Sequence, residues 1–263
     1  MNLTKKNNIK VIGNLDGPTM LFAHGFGTDQ HAWSKVSEAF ISKYRIILFD
    51  NVGAGQADPE AFSPNKYDTL QAYVNDLIAI CEEYEVKDAI MIGHSVSGMI
   101  SLLTAVQRPA FFSKLALVGA SPRYLNDIGY LGGFEQQDLD ALYDTMANNY
   151  FAWVSGFSAA AMGNPENPQL AEGFAATLRA IRPDIAQSVA RVIFQSDYRK
   201  ELTKLNKPTL LIQAKEDIAV PIDVAYYLNN NIANSKLTVV NAYGHFPHIS
   251  APNEVINALE QFI

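Results

Sequence analysis

The stretch Ile90-Met91-Ile92-Gly93-His94-Ser95-Val96-Ser97-Gly98-Met99-Ile100 has the pattern of a strand, a tight turn and a helix. In this setting a G-x-S-x-G motif predicts a nucleophile on a strained turn, with small neighbours that let the helix pass close to the strand. The sequence differs from this motif at the second glycine position, which holds Ser97, and Gly98 comes one residue later. Serine is small enough to serve there. We therefore predict that Ser95 is a nucleophile, in preference to a serine that only caps a helix.

Apolar runs recur on both sides of this stretch, and helical patterns follow most of them. Their hydrophobicity is continuous rather than alternating, which is typical of strands covered on both faces and predicts a mainly parallel sheet. The alternation of strands with helices indicates an α/β fold. We expect strands at residues 19–23, 45–49, 89–93, 115–118, 209–213 and 237–240, an edge strand within residues 9–13, and helices near residues 31–42, 69–84, 96–107, 222–230 and 253–262.

Residues 123–200 interrupt this alternation. They show helical patterns rich in aromatic residues, and Pro165, Pro168 and Pro183 mark helix starts or turns between helices. We predict a core of residues 1–122 and 201–263, with residues 123–200 inserted as a helical lid over one end of the sheet. No flexible linker separates the two parts, so we expect one compact body.

A serine hydroxyl needs a base to take its proton during attack. In this type of fold the acid and the histidine follow the serine in the chain, and only His245 and His248 do so. We favour His245, because Gly244 before it frees the backbone to aim the ring. His248 lies near the start of the final helix, and we interpret it as a residue at the surface or behind the site.

The carboxylate that orients the histidine should follow the preceding strand, where Glu216 and Asp217 stand. Asp217 is followed by the apolar residues 218–221 and so should lie deeper. Its alternative role, capping the helix after Pro221, suits Asp223 better. We predict that Asp217 holds the histidine tautomer and stabilises the imidazolium, and that Glu216 is a solvated neighbour.

Two backbone N–H groups should form the oxyanion hole, one from the residue after the nucleophile and one from a loop after an early strand. The first is Val96. The second lies in His24-Gly25-Phe26-Gly27, with Phe26 as the expected donor. We interpret His24 as a brace for this loop rather than as a base.

Composition excludes several other classes. The chain carries 20 Lys and Arg against 27 Asp and Glu, a formal charge of −7, which offers no electrostatic footprint for nucleic acid or an anionic membrane. Cys81 is the only cysteine, so no intrachain disulfide forms, and its apolar surroundings indicate a buried residue. Residues 1–8 lack the apolar core of a signal peptide and no apolar run is long enough for a membrane span, so we expect a cytoplasmic protein.

We also expect no cofactor and no metal. Gly53-Ala54-Gly55 follows a strand, but Asp58 stands where a dinucleotide fingerprint needs its third glycine. The histidines and carboxylates lack metal-ligand spacing, and one cysteine cannot build a zinc site.

Several segments in the core and the lid carry a family resemblance: His24-Gly25-Phe26-Gly27-Thr28-Asp29-Gln30, Phe49-Asp50-Asn51-Val52-Gly53-Ala54-Gly55, Gly93-His94-Ser95-Val96-Ser97, Ser121-Pro122-Arg123-Tyr124, Gly132-Gly133-Phe134-Glu135 and Ile193-Phe194-Gln195-Ser196-Asp197. They resemble one subfamily of α/β-hydrolases, which contains the bacterial stress-response regulator RsbQ and the plant karrikin and strigolactone receptors. The likeness covers almost the whole chain, and its lid motifs are more specific than the serine motif.

The resemblance implies a four-helix lid that roofs an apolar pocket for a small hydrophobic ligand above Ser95. Members hydrolyse small hydrophobic esters and butenolide lactones slowly, and several act as sensors that signal to a protein partner through the lid. A bacterial member would imply a phosphatase with a PAS domain as partner. Mapped by motif, the implied pocket residues are Phe26, Tyr124, Phe134, Leu142, Trp153, Phe157, Phe174, Phe194, Ile218 and Val220.

Two hypotheses follow. One is an esterase or lactonase with ordinary turnover, and the other is a ligand receptor or signalling regulator that retains the triad. A dehalogenase or epoxide hydrolase wants a carboxylate nucleophile, and Ser95 argues against it. A peptidase would need a charged subsite for a peptide terminus, which the apolar pocket does not offer.

Overall fold

Seven strands form a single sheet in the computed structural model, which describes residues 2–263. The sheet order is β1-β3-β2-β4-β5-β6-β7, and every neighbouring pair is parallel except β1 with β3. All six predicted strands are confirmed, and the segment near residue 10 is the antiparallel edge strand. The strands are β1 Lys10–Gly13, β2 Thr19–Ala23, β3 Arg45–Phe49, β4 Ala89–His94, β5 Phe112–Val118, β6 Thr209–Glu216 and β7 Ser235–Tyr243.

Helices connect these strands and cover both faces of the sheet. They are α1 Leu3–Lys6, α2 Ser34–Glu38, α3 Leu70–Glu83, α4 Val96–Gln107, α5 Gln136–Asn148, α6 Tyr150–Met162, α7 Pro168–Ala180, α8 Pro183–Phe194, α9 Ile222–Asn231, α10 Pro247–Ser250 and α11 Pro252–Glu260. The helix expected at 31–42 is shorter than predicted. A 3₁₀ turn, Gln30–Trp33, precedes α2, and a series of turns around Phe40 follows it, because the chain must reverse there to enter β3.

The alternation of side chains along each strand builds two cores, one on each face of the sheet. On β2, Met20 and Phe22 join Trp33 and residues of α2 and α11, whereas Leu21 packs with α3 and α4 on the other face. Each fully buried aliphatic or aromatic side chain stabilises the fold by about 1.5–3 kcal/mol. The sheet is therefore packed against helices on both faces, and this packing fixes the positions of the strand ends.

The four helices α5–α8 lie between β5 and β6, within the segment predicted as a lid. Its two ends meet at the core: Arg123 pairs with Asp197 in a short bridge and an ion pair of 3.0 Å, and the Tyr198 N–H donates to the Pro122 carbonyl at 2.8 Å. The division into a core of residues 1–122 and 201–263 and a lid of residues 123–200 stays a prediction. Within residues 2–263, none of the helices is both long enough and apolar enough to cross a bilayer.

Candidate active site

Ser95 lies on a strained turn between β4 and α4. Its φ of 54° and ψ of −123° lie in a region that non-glycine residues rarely occupy, at a cost of about 1–3 kcal/mol. The neighbours must be small: a Cβ on Gly93 would lie 2.5 Å from the Ser97 carbonyl oxygen, and one on Gly98 would lie 2.6 Å from the Ala120 Cβ. The close approach of α4 to the sheet therefore aims the Ser95 hydroxyl away from the strand.

The structure brings Ser95, His245 and Asp217 together in one hydrogen-bonded row. His245 Nε2 is 2.8 Å from Ser95 Oγ, and His245 Nδ1 is 2.7 Å from Asp217 Oδ2. With the proton on Nδ1, the imidazole donates to the carboxylate and accepts from the serine. The other carboxylate oxygen accepts from the N–H groups of Ala219 at 2.8 Å and Val220 at 3.1 Å. Asp217 is thus fixed by its own loop, and it fixes the ring in turn.

The two alternatives for these roles lie elsewhere. Glu216 is exposed, as expected. His248 is fully buried behind the row rather than at the surface, with its ring 4.3 Å from those of both Trp33 and His94. Neither of its ring nitrogens has a hydrogen-bond partner within residues 2–263. Burial lowers the pKa of His248 to about 3, so the ring is neutral.

Two backbone N–H groups near the serine have no hydrogen-bond partner among the described residues. Neither the Phe26 N–H nor the Val96 N–H donates to any protein acceptor in residues 2–263. Such free donors beside a nucleophile can bind a developing oxyanion. His24 holds the Phe26 loop: its Nδ1–H donates to the Gly25 carbonyl at 2.8 Å, and its Nε2 accepts from the Asn51 N–H at 2.9 Å. Burial lowers the pKa of His24, which suits a neutral brace.

Sequence reasoning missed the contacts of Asn51 and Ser97. The Ser97 hydroxyl donates to the His24 carbonyl at 2.5 Å and accepts from Asn51 Nδ2 at 3.1 Å. Ser97 therefore does more than fit the place of the second motif glycine, because it ties the serine turn to the oxyanion loop. Asn51 follows β3 at the same sheet edge as His24. This position after a parallel strand is the sequence signal that could have predicted its contact with the oxyanion loop.

Tyr124 is a predicted pocket residue whose hydroxyl contacts the serine. Its hydroxyl is 3.3 Å from Ser95 Oγ, and its ring packs edge-on against Phe194 at 5.1 Å between centroids. Phe194 also packs against Phe134, with centroids 5.6 Å apart. Burial raises the pKa of Tyr124, so the hydroxyl is a neutral donor toward the serine oxygen.

The remaining aromatic residues of the lid pack against one another. Trp153 stacks on Phe157 at 5.0 Å between ring centroids, Phe157 contacts Phe174 at 6.1 Å, and Phe174 contacts Phe246 at 4.4 Å. Leu142 is half-buried against the same core and Val220 is fully buried. Ile218 is 57% exposed, so its side chain lies largely at the surface, and its role in the pocket stays a prediction. The chain bends at residues 218–220, so that the Ala219 and Val220 N–H groups reach the Asp217 carboxylate while the Ile218 side chain stays at the surface.

The cavity beside the oxyanion donors has a different lining from the one predicted. Its volume is about 30 Å³. Of the ten predicted pocket residues only Phe26 contributes, and Val96 lies beside it. The rest of its wall is mainly aliphatic and is formed by His24, Gly25, Gly27, Asn51, Val52, Gly53, Ala54, Leu70, Tyr73, Ile100, Ile181, Ala186, Val189 and Ile193. The predicted aromatic residues instead pack mainly against one another, and Tyr124 contacts the serine.

The lid holds both catalytic loops. The His245 N–H donates to the Ala161 carbonyl at the end of α6 at 2.7 Å, and on the core side His94 Nε2–H donates to the His245 carbonyl at 2.8 Å. The Thr177 hydroxyl of α7 donates to the Gly27 carbonyl of the oxyanion loop at 2.8 Å and shares its proton with the Phe174 carbonyl at 2.9 Å. A displacement of α6 or α7 would therefore move the histidine or the oxyanion donors. Within residues 2–263, no three His, Cys, Asp or Glu side chains are grouped to hold a metal ion.

Known proteins resemble the chain over its whole length. The family model described as alpha/beta hydrolase fold matches residues 18–252. The chain is 44% identical over 258 residues to the karrikin insensitive 2 receptor CA of Petunia hybrida, covering 98% of this chain and 95% of that one. It is 40% identical over 262 residues to strigolactone esterase D14 of Arabidopsis thaliana, with coverage of 99% and 97%. Among solved structures, a hydrolase from Oleispira antarctica superposes with a TM-score of 0.96 and 32% identity, covering 99% of this chain and 96% of that one.

Proposed function

The chain belongs to the α/β-hydrolase family, and on that premise we propose that it hydrolyses a small hydrophobic ester or butenolide-type lactone through Ser95, His245 and Asp217. The observation that carries the proposal is the hydrogen-bonded row of these three side chains beside two free N–H groups. A nucleophile, a base with its tautomer fixed and an oxyanion site are the parts that acyl transfer requires.

Acylation begins when Ser95 Oγ attacks the carbonyl carbon and His245 Nε2 takes the hydroxyl proton. The carbonyl oxygen becomes an oxyanion, which the N–H groups of Phe26 and Val96 stabilise. The bond from carbon to the alcohol oxygen then breaks, and that oxygen leaves with the proton from Nε2. Asp217 stabilises the imidazolium throughout and keeps its own charge.

Deacylation repeats these steps with water as the nucleophile. His245 takes a proton from water as the water oxygen attacks the acyl carbon. The bond to Ser95 Oγ breaks, the serine regains its proton from Nε2, and the carboxylic acid leaves. Tyr124 can donate a hydrogen bond to Ser95 Oγ as that oxygen becomes the leaving group.

Ligand reception with slow turnover is the second candidate function. The hydrogen bonds from α6 and α7 to the two catalytic loops favour it, because they connect the state of the lid to the state of the site. Both named relatives, a karrikin insensitive 2 receptor and a strigolactone esterase, share the full length of this chain. A signalling protein that contacts the lid, and a cytoplasmic location, belong to this proposal.

Ser95→Ala tests the chemistry against Ser101→Ala, a matched control in the same region. Ser101 is a buried serine on α4 that only donates to the Ser97 carbonyl. With p-nitrophenyl acetate, Ser95→Ala should lower the rate by several powers of ten, with on the order of 10³-fold over water left from the oxyanion hole. Ser101→Ala should stay close to the parent. Intact-mass spectrometry with the aryl ester and with a butenolide should show an adduct only when Ser95 is present. A Ser95→Ala rate within about tenfold of the parent contradicts the proposal.

A further inference from the structure

We propose that His94, the residue before the nucleophile, is a positioning residue that holds His245 in line with Ser95 through the main-chain carbonyl of His245. The inference rests on the proposed function, because it concerns the base of that reaction. It deepens that function by assigning a role to a side chain that takes no proton and binds no substrate in the mechanism above.

The main chain of His245 has two anchors, one in the lid and one in the core. Its N–H donates to the Ala161 carbonyl of α6 at 2.7 Å, and its carbonyl accepts from His94 Nε2–H at 2.8 Å. His94 is the last residue of β4, and Ser95 follows it directly. The second anchor therefore connects the loop of the base to the strand that carries the nucleophile, so their relative position does not depend on the lid alone.

Close packing fixes the His94 ring in this position. The side chain is fully buried, and its ring centroid lies 4.9 Å from that of His245, 5.0 Å from that of Phe246 and 4.3 Å from that of His248. At the Nδ1 edge, a Cβ on Gly25 would collide with the ring. The ring thus lies between the oxyanion loop and the loop of the base, with little room to turn away from the carbonyl.

The bond to the carbonyl also defines the protonation of His94. A carbonyl oxygen only accepts, so Nε2 carries the proton and Nδ1 is bare. Within residues 2–263, Nδ1 has no hydrogen-bond partner. Burial, with His248 and His245 as smaller causes, lowers the pKa of His94 well below its usual value, so the ring is neutral. A neutral donor holds the carbonyl without placing a second positive charge beside the imidazolium that forms on His245.

A pair of variants separates the hydrogen bond from the packing of the ring. His94→Gln and His94→Met both remove the ring and have side chains of similar length, but only glutamine retains an N–H donor. Thr104→Val is the control for the loss of a buried hydrogen bond to a carbonyl, because the Thr104 hydroxyl donates to the Ile100 carbonyl within α4. The experiment measures kcat and KM with p-nitrophenyl acetate, well below the thermal midpoint of each variant, so that lost stability does not enter the rates.

His94→Met should lower kcat by roughly 10- to 100-fold, because a displacement of about 1 Å between reacting groups can cost that much. KM should stay within about threefold of the parent, since the contact acts on proton transfer and not on substrate binding. His94→Gln should regain most of the lost kcat, and Thr104→Val should stay close to the parent. A kcat within about threefold of the parent in His94→Met, or equal losses in His94→Met and His94→Gln, overturns the positioning role.

Proton NMR supplies a readout that does not need turnover. The proton in the short bond between His245 Nδ1 and Asp217 should give a far-downfield resonance, which His245→Ala assigns by its loss. We expect this resonance to persist in His94→Gln and to broaden in His94→Met, because a ring that is no longer held exchanges its proton with water. An unchanged resonance in His94→Met overturns the proposal. If no ester shows Ser95-dependent hydrolysis, the proposed function fails, whereas the resonance still decides whether His94 holds the ring.

Discussion

His245 and His248 lie three residues apart, and their side chains have entirely different surroundings. His245 bonds through both ring nitrogens to the serine and the carboxylate, whereas His248 is held only by ring packing on Trp33 and His94. Glycine at position 244, with φ of 82°, lets the chain turn so that the first ring faces the site and the second faces the core. The local backbone therefore decides which histidine can act as the base.

His245→Ala should lower ester hydrolysis as far as Ser95→Ala does, and the double variant should be no slower, because the two residues act as one unit. His248→Phe keeps a flat aromatic ring in the same packing and loses no hydrogen bond, so its kcat/KM should stay within about threefold of the parent. The measurement is kcat/KM with p-nitrophenyl acetate. A large loss in His248→Phe with an intact rate in His245→Ala would show that the base was assigned to the wrong histidine.

His248 should also make the protein sensitive to acid. Burial lowers its pKa from 6.5 to about 3, with the neighbouring histidines His245 and His24 as smaller causes, and burial lowers the pKa of His94 as well. Between these values the unfolded chain binds a proton that the folded chain does not, so the free energy of unfolding falls as pH drops below about 6.5. For one such group the loss reaches about 2 kcal/mol near pH 5.

His248→Phe should therefore weaken the dependence of stability on pH. Urea midpoints at about pH 7.5 and about pH 5 should lie closer together in this variant than in the parent. His31→Ala, at an exposed histidine, is the control and should leave the difference unchanged. If His248→Phe loses as much stability in acid as the parent does, this histidine does not titrate on unfolding.

At the scale of elements, apolar patterning was enough to place the strands and the major core helices. Helix α4 begins and ends where the pattern predicted, because the turn at Ser95 and the loop after Gln107 both interrupt its apolar face. The pattern overestimated α2, since a run of turns around Phe40 buries apolar residues as a helix would. Hydrophobicity reports burial, and it does not distinguish these two ways of burying a side chain.

The contacts between helices and loops were outside the reach of the sequence. Ser97, Asn51 and Thr177 are small polar residues whose partners are carbonyls and side chains far along the chain. No spacing rule connects position 177 with position 27. Only the packing of α7 on the oxyanion loop, where a Cβ on Gly27 would lie 2.8 Å from the Phe174 ring, brings them together.

Thr177→Val should weaken catalysis through this contact. It removes the hydrogen bond from α7 to the Gly27 carbonyl while keeping the shape of the side chain. A typical hydrogen bond contributes about 1 kcal/mol, and a loss of that size in the transition state lowers kcat about fivefold. Thr145→Val is the matched control, because that hydroxyl bonds only to the Ala141 carbonyl within α5. Equal kcat values for the two variants would show that α7 does not hold the oxyanion loop in place.

At the scale of the whole molecule, the sequence indicated a lid over a serine but not how tightly the lid packs. The aromatic residues implied by the resemblance pack mainly against one another: Tyr124 contacts Phe194, Trp153 stacks on Phe157, and Phe157 contacts Phe174. The cavity of about 30 Å³ beside the oxyanion donors is lined by Ala186, Val189 and Ile193 of α8 and by none of those rings. Whether rings enclose a space or fill it depends on distances of a few ångströms, which residue types alone do not encode.

A butenolide that binds above Ser95 must find room among these packed aromatic residues, so we expect its binding to move the lid. The helices that must move, α6 and α7, are those that hydrogen-bond to the His245 and Gly27 loops. A ligand favours the lid arrangements that bind it better, and the shift in their populations is no larger than its differential affinity for them.

Hydrogen exchange should be measured on Ser95→Ala with and without a methyl-substituted butenolide, so that turnover does not blur the result. We expect protection across α5–α8, residues 136–194, because the bound ligand fills the space into which these helices open. Peptides from β1 and α11, whose residues do not line the site, serve as the internal control. Protection confined to the lid supports ligand reception coupled to the triad. Unchanged exchange in the lid at saturating ligand would rule out the receptor function, because a protein partner would then have no altered surface to recognise, and a plain esterase would be left.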